Sequence, residues 1–200
     1  MICLDLDNTL IAYDRLFYAL ALANGWLGQG VLPRKTAIRD HVRSRHGDVA
    51  WQRLQVAAYG LEIHRADVFD GALRFLRRCS QLKRSVVVVS HKTQYARIAP
   101  ECPNLRKTAL AFMDRRGFFE DDTLLDRSRV FFESSRSAKI ARINRLGCTH
   151  LVDDLPEVLT NPDLPPGIKR ILFTPEGALP PEGVAACRSW DEVAVHVLGA

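Results

Sequence analysis

Met1-Ile2-Cys3-Leu4-Asp5-Leu6-Asp7-Asn8-Thr9-Leu10 is the stretch on which the fold turns. Met1 to Leu6 is short and apolar, and polar chemistry follows at once, so it reads as a buried strand. Asp5 and Asp7 lie two residues apart. In a continuing strand their side chains would share a face. A turn just after Asp5 would instead let them flank a common point. Carboxylates this close repel unless a cation lies between them or one holds a proton. A hard divalent ion with oxygen ligands meets that need, and magnesium keeps few protein ligands beside water and phosphate. The bland alternative is a capped turn, since Asn8 and Thr9 also favour turns.

Outward from this run, Tyr13 to Leu27 carries Leu16, Phe17, Leu20, Ala23 and Leu27 at helical intervals, and Gly25, Gly28 and Gly30 stop it. Pro33 opens a second predicted helix to about His46, closed by Gly47. Asp48 caps a third, from Val49 to about Tyr59, with Gly60 beyond it. The stretch 13–65 is therefore expected to be helical and strand-free, an insertion rather than one crossover helix. The rhythm then changes. Helices are predicted at Gly71–Leu82, Thr93–Ile98, Asn104–Arg116, Ser137–Leu146 and Trp190–Leu198. Strands are predicted at Ser85–Ser90, with its four consecutive valines, and at Arg129–Phe132, Cys148–Val152 and Lys169–Phe173. Wholly apolar strands alternating with helices predict an α/β fold, a three-layer sandwich around a parallel, Rossmann-like sheet. Pro156–Gly167 and Thr174–Gly183 read as loops. The expected division is a core of 1–12 and 66–200 and an all-helical insertion of 13–65.

In open parallel sheets, sites form beyond the carboxyl ends of the strands. Asp5 and Asp7 end the first strand, and Ser90, followed by His91, Lys92 and Thr93, ends the second. Asp153 and Asp154 end the fourth, and Lys139 begins the helix after the third. Carboxylates at two strand ends suit a divalent cation. A serine hydroxyl and a lysine at a helix start, where backbone N–H groups also favour anions, suit a phosphoryl group.

This set resembles the haloacid dehalogenase superfamily. Asp5-Leu6-Asp7-Asn8-Thr9-Leu10 looks like its first motif, Ser90 its second, Lys139 its third, and His150-Leu151-Val152-Asp153-Asp154 its fourth in the paired-aspartate form. The insertion resembles the small helical cap of the first cap class. The resemblance implies that Asp5 is a nucleophile forming an aspartyl-phosphate, with Asp7 as general acid and then base. It implies magnesium held by Asp5, Asp154 and the backbone carbonyl of Asp7, with Asp153 orienting Lys139 or a metal-bound water. Asn8, Ser90, His91 and Lys139 are the implied phosphate contacts. Tyr13, Arg15, His41, Arg43, Arg45, His46 and Lys92 are candidates for substrate selection. The expected activity is a phosphohydrolase acting on a small phosphomonoester, such as a sugar phosphate or nucleotide. Asp7 disfavours dehalogenation, whose halide leaving group needs no proton. A mutase or phosphotransferase, and a catalytically idle binding domain, share the pattern.

Composition narrows the classes further. The chain has 200 residues, 47% hydrophobic, with 28 basic and 23 acidic residues, net +5. Such a chain can bury one substantial core. Its basic residues are spread rather than gathered into a stripe with exposed aromatics, so a nucleic-acid partner is not expected; an anionic small metabolite is. The five cysteines (Cys3, Cys79, Cys102, Cys148, Cys187) include no C-x-x-C pair. With no visible signal peptide, reduced thiols and a cytoplasmic location are expected. The run Val86–Val89 is far too short to span a membrane.

Overall fold

The computed structural model describes residues 1–96, 98, 103–123 and 125–199. Cys102 and, within the predicted helix Thr93–Ile98, Arg97 lie outside them. The strands are β1 (Ile2–Leu4), β2 (Ile11–Ala12), β3 (Asp67–Val68), β4 (Val86–His91), β5 (Val130–Glu133), β6 (His150–Asp153), β7 (Lys169–Phe173) and β8 (Ala185–Cys187). The α-helices are α1 (Asp14–Ala23), α2 (Lys35–Val56), α3 (Ala72–Gln81), α4 (Leu105–Arg115), α5 (Arg136–Arg145), α6 (Pro156–Leu159) and α7 (Trp190–Leu198).

The chain divides into two compact units. One comprises Met1–Leu10, Val68–Lys92 and Met113–Ala200; the other comprises Ile11–Asp67 and Thr93–Phe112. The first unit is built on a six-stranded sheet in the order β5-β4-β1-β6-β7-β8. Every pairing in it is parallel. The chain leaves β1 toward β4 and β5, then returns to lay β6 on the other side of β1. The strand order thus reverses at β1, and its carboxyl end is the switch point where such sheets open a crevice.

Alternation along the strands sends side chains to two covered faces. Cys3, Val87, Val89, Leu151 and Leu172 join Ile140 and Ile143 of α5 in one cluster. On the other face Phe173 meets Trp190 of α7, ring centroids 5.4 Å apart, and Trp190 meets Phe75 of α3 at 5.1 Å. Trp190 is almost fully buried, and its indole Nε1–H donates to the Thr9 carbonyl at 3.2 Å. The indole thereby ties the turn after β1 to the helix layer, satisfying its one polar atom as a buried tryptophan must. This is the α/β sandwich around a parallel sheet that the strand pattern predicts. Besides the two-residue strands β2 and β3, two elements of this unit escape the sequence reading. β8 is a short Ala-Ala-Cys segment of weak strand propensity, and α6 is a single turn opened by Pro156 inside a proline-rich stretch.

The second unit is helical, with α1 against α2 and a π-helical turn, Ala57–Leu61, after α2. Gly47 interrupts α2 with φ 83 and ψ 170, so the two helices predicted on either side of it meet at a kink that only glycine enters without strain. The unit's centre is aromatic. Phe17 stacks on Trp51 at 5.0 Å, and Tyr59 sets its edge to Tyr13 at 4.8 Å. Thr93–Phe112 belongs to this unit as well. The helix predicted at Thr93–Ile98 does not form over Thr93–Ala96. There the Gln94 carbonyl accepts from the amide of Leu105 at 2.9 Å, a long-range bond in place of a helical one. Among the described residues no helix is long and apolar enough to cross a membrane.

Truncating Trp190 to alanine removes both its ring contacts and its bond to Thr9. It is expected to cost about 3–5 kcal/mol of unfolding free energy, read from urea denaturation; a loss under about 1 kcal/mol would contradict the packing role given to it.

Candidate active site

Three neighbouring parallel strands bring the site together. Register pairs Leu4 with Val88 on one side and with Val152 on the other. The Asp5 amide continues the ladder by donating to the Val152 carbonyl at 2.9 Å. Asp5, one residue past β1, is thus level with Asp153 at the end of β6, and Ser90 lies at the end of β4. All three are buried.

Beyond Asp5 the chain turns. Asn8 adopts φ 62, a left-handed conformation that asparagine tolerates better than most residues. The Leu10 amide closes the turn on the Leu6 carbonyl at 2.9 Å. The turn separates the two carboxylates that the sequence sets side by side. Each receives its own lysine. Lys139 Nζ donates to Asp5 Oδ1 at 2.5 Å, and Lys92 Nζ lies 2.8 Å from Asp7 Oδ2. Like-charge repulsion is relieved by these two ammonium groups.

Lys139 sits in the first turn of α5, on the face that also buries Ile140 and Ile143. Ser135 caps that helix, its Oγ accepting from the Ala138 amide at 3.1 Å. α5 is further fixed to β5 by Arg142, whose Nε donates to Glu133 Oε1 at 2.8 Å. A lysine on an apolar helix face must find its counter-charge inside the protein. Lys139 reaches two carboxylates, Asp5 and, at 2.6 Å, Asp153 Oδ2. The other oxygen of Asp153 accepts from the Leu155 amide at 3.0 Å.

Asp5, Asp153 and Asp154 each offer an oxygen, and these oxygens all lie within 4.8 Å of one another. Three carboxylates gather around the one ammonium of Lys139, Asp5 and Asp153 buried and Asp154 half-buried. Burial pushes the Asp5 carboxyl well above the usual carboxylate range; Asp153 and Asp154 add to the rise and Lys139 opposes it. For Lys139, burial acts downward, but Asp153 and Asp5 outweigh it and hold the ammonium above its ordinary value. Three carboxylate oxygens grouped this closely are the kind of donors a hard divalent cation takes. Both Asp153 oxygens are engaged by protein donors, Lys139 on one and the Leu155 amide on the other.

The remaining candidates fall elsewhere. Ser90 is buried at the β4 end and His91 follows it, exposed. The His91 ring is held below its ordinary pKa, first by partial loss of solvent and then by the charges of Lys139 and Arg136. Tyr13 is buried in the aromatic centre of the helical unit. His41 Nε2 accepts from the Gly28 amide at 3.2 Å, and the His46 ring lies 6.0 Å from that of Trp26. Arg43 pairs with Asp48 at 2.5 Å, and Arg15 lies 3.7 Å from Asp67. The engagement of Lys92 with Asp7 is not legible from the sequence; its only signal is its place two residues past Ser90. Thr9 is fully buried, and its Oγ1 has no hydrogen-bond partner.

No family model matches the chain, and no curated protein matches it. Solved structures do. A hydrolase of the haloacid dehalogenase superfamily from Deinococcus radiodurans R1, with bound phosphate and sodium, aligns at TM-score 0.59 and 14% identity over 99% of this chain and 94% of its own. A haloacid dehalogenase-like hydrolase from Burkholderia xenovorans LB400 aligns at 0.58 and 16%, over 99% and 96%. A dehalogenase with an intermediate complex aligns at 0.55 and 12%, over 96% and 95%. At these identities the likeness concerns fold: the chain has the architecture of haloacid dehalogenase-superfamily hydrolases, including a helical insertion.

The raised Asp5 carboxyl has a consequence for stability. A carboxyl whose folded pKa exceeds its unfolded value favours the folded state less as pH rises from the ordinary carboxylate range toward the folded value. A divalent cation should reverse that penalty at neutral pH and lose its effect as protons compete. Magnesium at about 100 times its dissociation constant should therefore add about 2.7 kcal/mol at pH 7, seen as a rise in melting temperature. The rise should shrink toward pH 5 and vanish in Asp154→Asn. An unchanged melting temperature at pH 7 would remove the metal site.

Proposed function

We propose that this protein is a magnesium-dependent phosphohydrolase that cleaves a small phosphomonoester through an aspartyl-phosphate on Asp5. The observation that carries the reading is Lys139 clasped between Asp5 and Asp153, with Asp154 beside them. A carboxylate held this close to an ammonium and two further carboxylates is oriented and charge-balanced for a reaction at phosphorus, where catalysis rests on positioning and electrostatics. That a solved structure of the same architecture holds phosphate is consistent with this choice.

When bound, magnesium supplies charge neutralisation at the phosphoryl oxygens and a fixed angle of approach; Asp5 and Asp154 would hold it. An Asp5 carboxylate oxygen attacks phosphorus. The bond from phosphorus to the ester oxygen breaks, its electron pair stays on that oxygen, and Asp7 delivers the proton that yields the free alcohol. Lys139 and Ser90 hold the equatorial oxygens as charge builds on them, with Asn8 and His91 as further contacts. Asp7, now a carboxylate, takes a proton from water. The water oxygen bonds to phosphorus, the bond from Asp5 to phosphorus breaks, and inorganic phosphate leaves with Asp5 restored. Both steps balance with water as the only co-reactant.

Asp7 separates this from dehalogenation, whose leaving halide requires no proton. A phosphotransferase or mutase would use the same aspartyl-phosphate and differ only in the acceptor. We read the stretch 13–65 as a cap that selects a small metabolite, with His41 and His46 as the residues to vary first, and the protein as cytoplasmic; Tyr13, buried against Phe17 and Tyr59, serves that unit's core. The chemistry requires neither a nucleic-acid nor a membrane partner.

Asp5→Asn should reduce magnesium-dependent release of phosphate from p-nitrophenyl phosphate to background. Asp7→Asn should lower kcat/KM for alkyl phosphates by about 10²–10⁴-fold. Magnesium-dependent turnover surviving in Asp5→Asn would refute the assignment. Free phosphate formed with water as sole acceptor, against transfer to a second alcohol, separates hydrolase from transferase.

A further inference from the structure

Lys92 stands out among the cations of the sheet unit because it is buried yet belongs to no helix or strand. Its side chain is 3% exposed, and Asp7, at 18%, is its carboxylate partner at 2.8 Å. A buried ammonium without a counter-charge is costly, so this pair is a structural commitment rather than a chance surface contact. The lysine's backbone is fixed too. Its amide donates to the Glu133 carbonyl at 3.0 Å, extending the β4–β5 ladder one residue past β4. Glu133 is in turn anchored by Arg142 of α5. Asp7 lies in the turn after β1, where Asn8 takes a left-handed conformation. The lysine follows the end of β4, and the aspartate precedes the left-handed turn residue Asn8.

We propose that Lys92 is a positioning residue for Asp7: it fixes the carboxylate by which Asp7 exchanges protons with the leaving oxygen and with water, and does not itself bind substrate. This rests on the phosphohydrolase reading and deepens it. The site then has two parallel pairs. Lys139 holds the nucleophile Asp5 from α5, and Lys92 holds the acid–base Asp7 from the end of β4. Removing Lys92 takes away the ammonium that lies 2.8 Å from the Asp7 carboxylate. Misplacing a proton donor by a fraction of its hydrogen-bond length is enough to lose most of its benefit.

The test is a double-mutant cycle of Lys92→Met and Asp7→Asn, with kcat/KM measured on an alkyl phosphate and on p-nitrophenyl phosphate. A residue that acts through another has little left to lose once that other is gone. In the wild-type background Lys92→Met should lower kcat/KM on the alkyl phosphate by about 10²-fold, the lower end of what acid–base catalysis contributes. The loss should be smaller on p-nitrophenyl phosphate, whose leaving group needs little protonation. In the Asp7→Asn background Lys92→Met should change kcat/KM by no more than about threefold. Lys92→Arg, which keeps a cation at the pair, should recover part of the rate and guards against a simple failure of Lys92→Met to fold, checked by its melting temperature. Equal losses in both backgrounds would mean that Lys92 acts on the substrate directly and would overturn the proposal. So would equal losses on both substrates, or an Arg variant as impaired as a well-folded Met variant. A wild-type protein that releases no phosphate would overturn the phosphohydrolase reading itself, and this proposal with it; an active wild type with an additive cycle would overturn this proposal alone.

Discussion

The ammonium of Lys139, held between Asp5 and Asp153, is the interaction on which the rest of the site depends. It links the central strand, its neighbour and the helix that covers them, with all three groups out of water. Breaking a buried pair of this kind by removing one member costs about 3–5 kcal/mol because the other charge is left uncompensated. Here one lysine serves two carboxylates, and Asp154 brings a third oxygen within the same cluster. A cluster of carboxylate oxygens this close together has the donor chemistry that hard divalent cations prefer.

The sheet order explains why these groups meet. β4, β1 and β6 are adjacent and parallel, so their carboxyl ends open on one side of the sheet. Hydrophobic packing sets this order, through α5 on one face and the Trp190, Phe75 and Phe173 group on the other. The chemistry therefore relies on the core to keep its reactive groups in place. The turn after β1 carries Asp7 and Asn8. It is secured at several points: by the Trp190 bond to the Thr9 carbonyl, by closure of Leu10 on Leu6, and by Lys92 on Asp7.

Much of this was legible in the residues. The four valines of β4 and the apolar start of β1 announce strands covered on both faces, because only a buried parallel strand can dispense with polar alternation. Gly47 announces a break between two helices, and the structure bends there with a positive φ. Local signals failed where local propensity was weak or overridden. Ala185–Cys187 becomes a strand only because Ile171–Phe173 offers an edge to pair with. Thr93–Ala96 is withheld from a helix by a bond between Gln94 and distant Leu105.

The sequence by itself determined the class of fold and the inventory of reactive groups, since hydrophobic period and the placing of carboxylates at strand ends are properties of the chain's order. Only the tertiary structure decided how those groups pair. Two aspartates two residues apart ask for a shared cation; the folded chain also gives each a lysine of its own, 85 and 134 residues away in sequence from Asp7 and Asp5. Which cation answers which carboxylate depends on strand order and on the hand of a turn, and neither is written in the spacing of the residues.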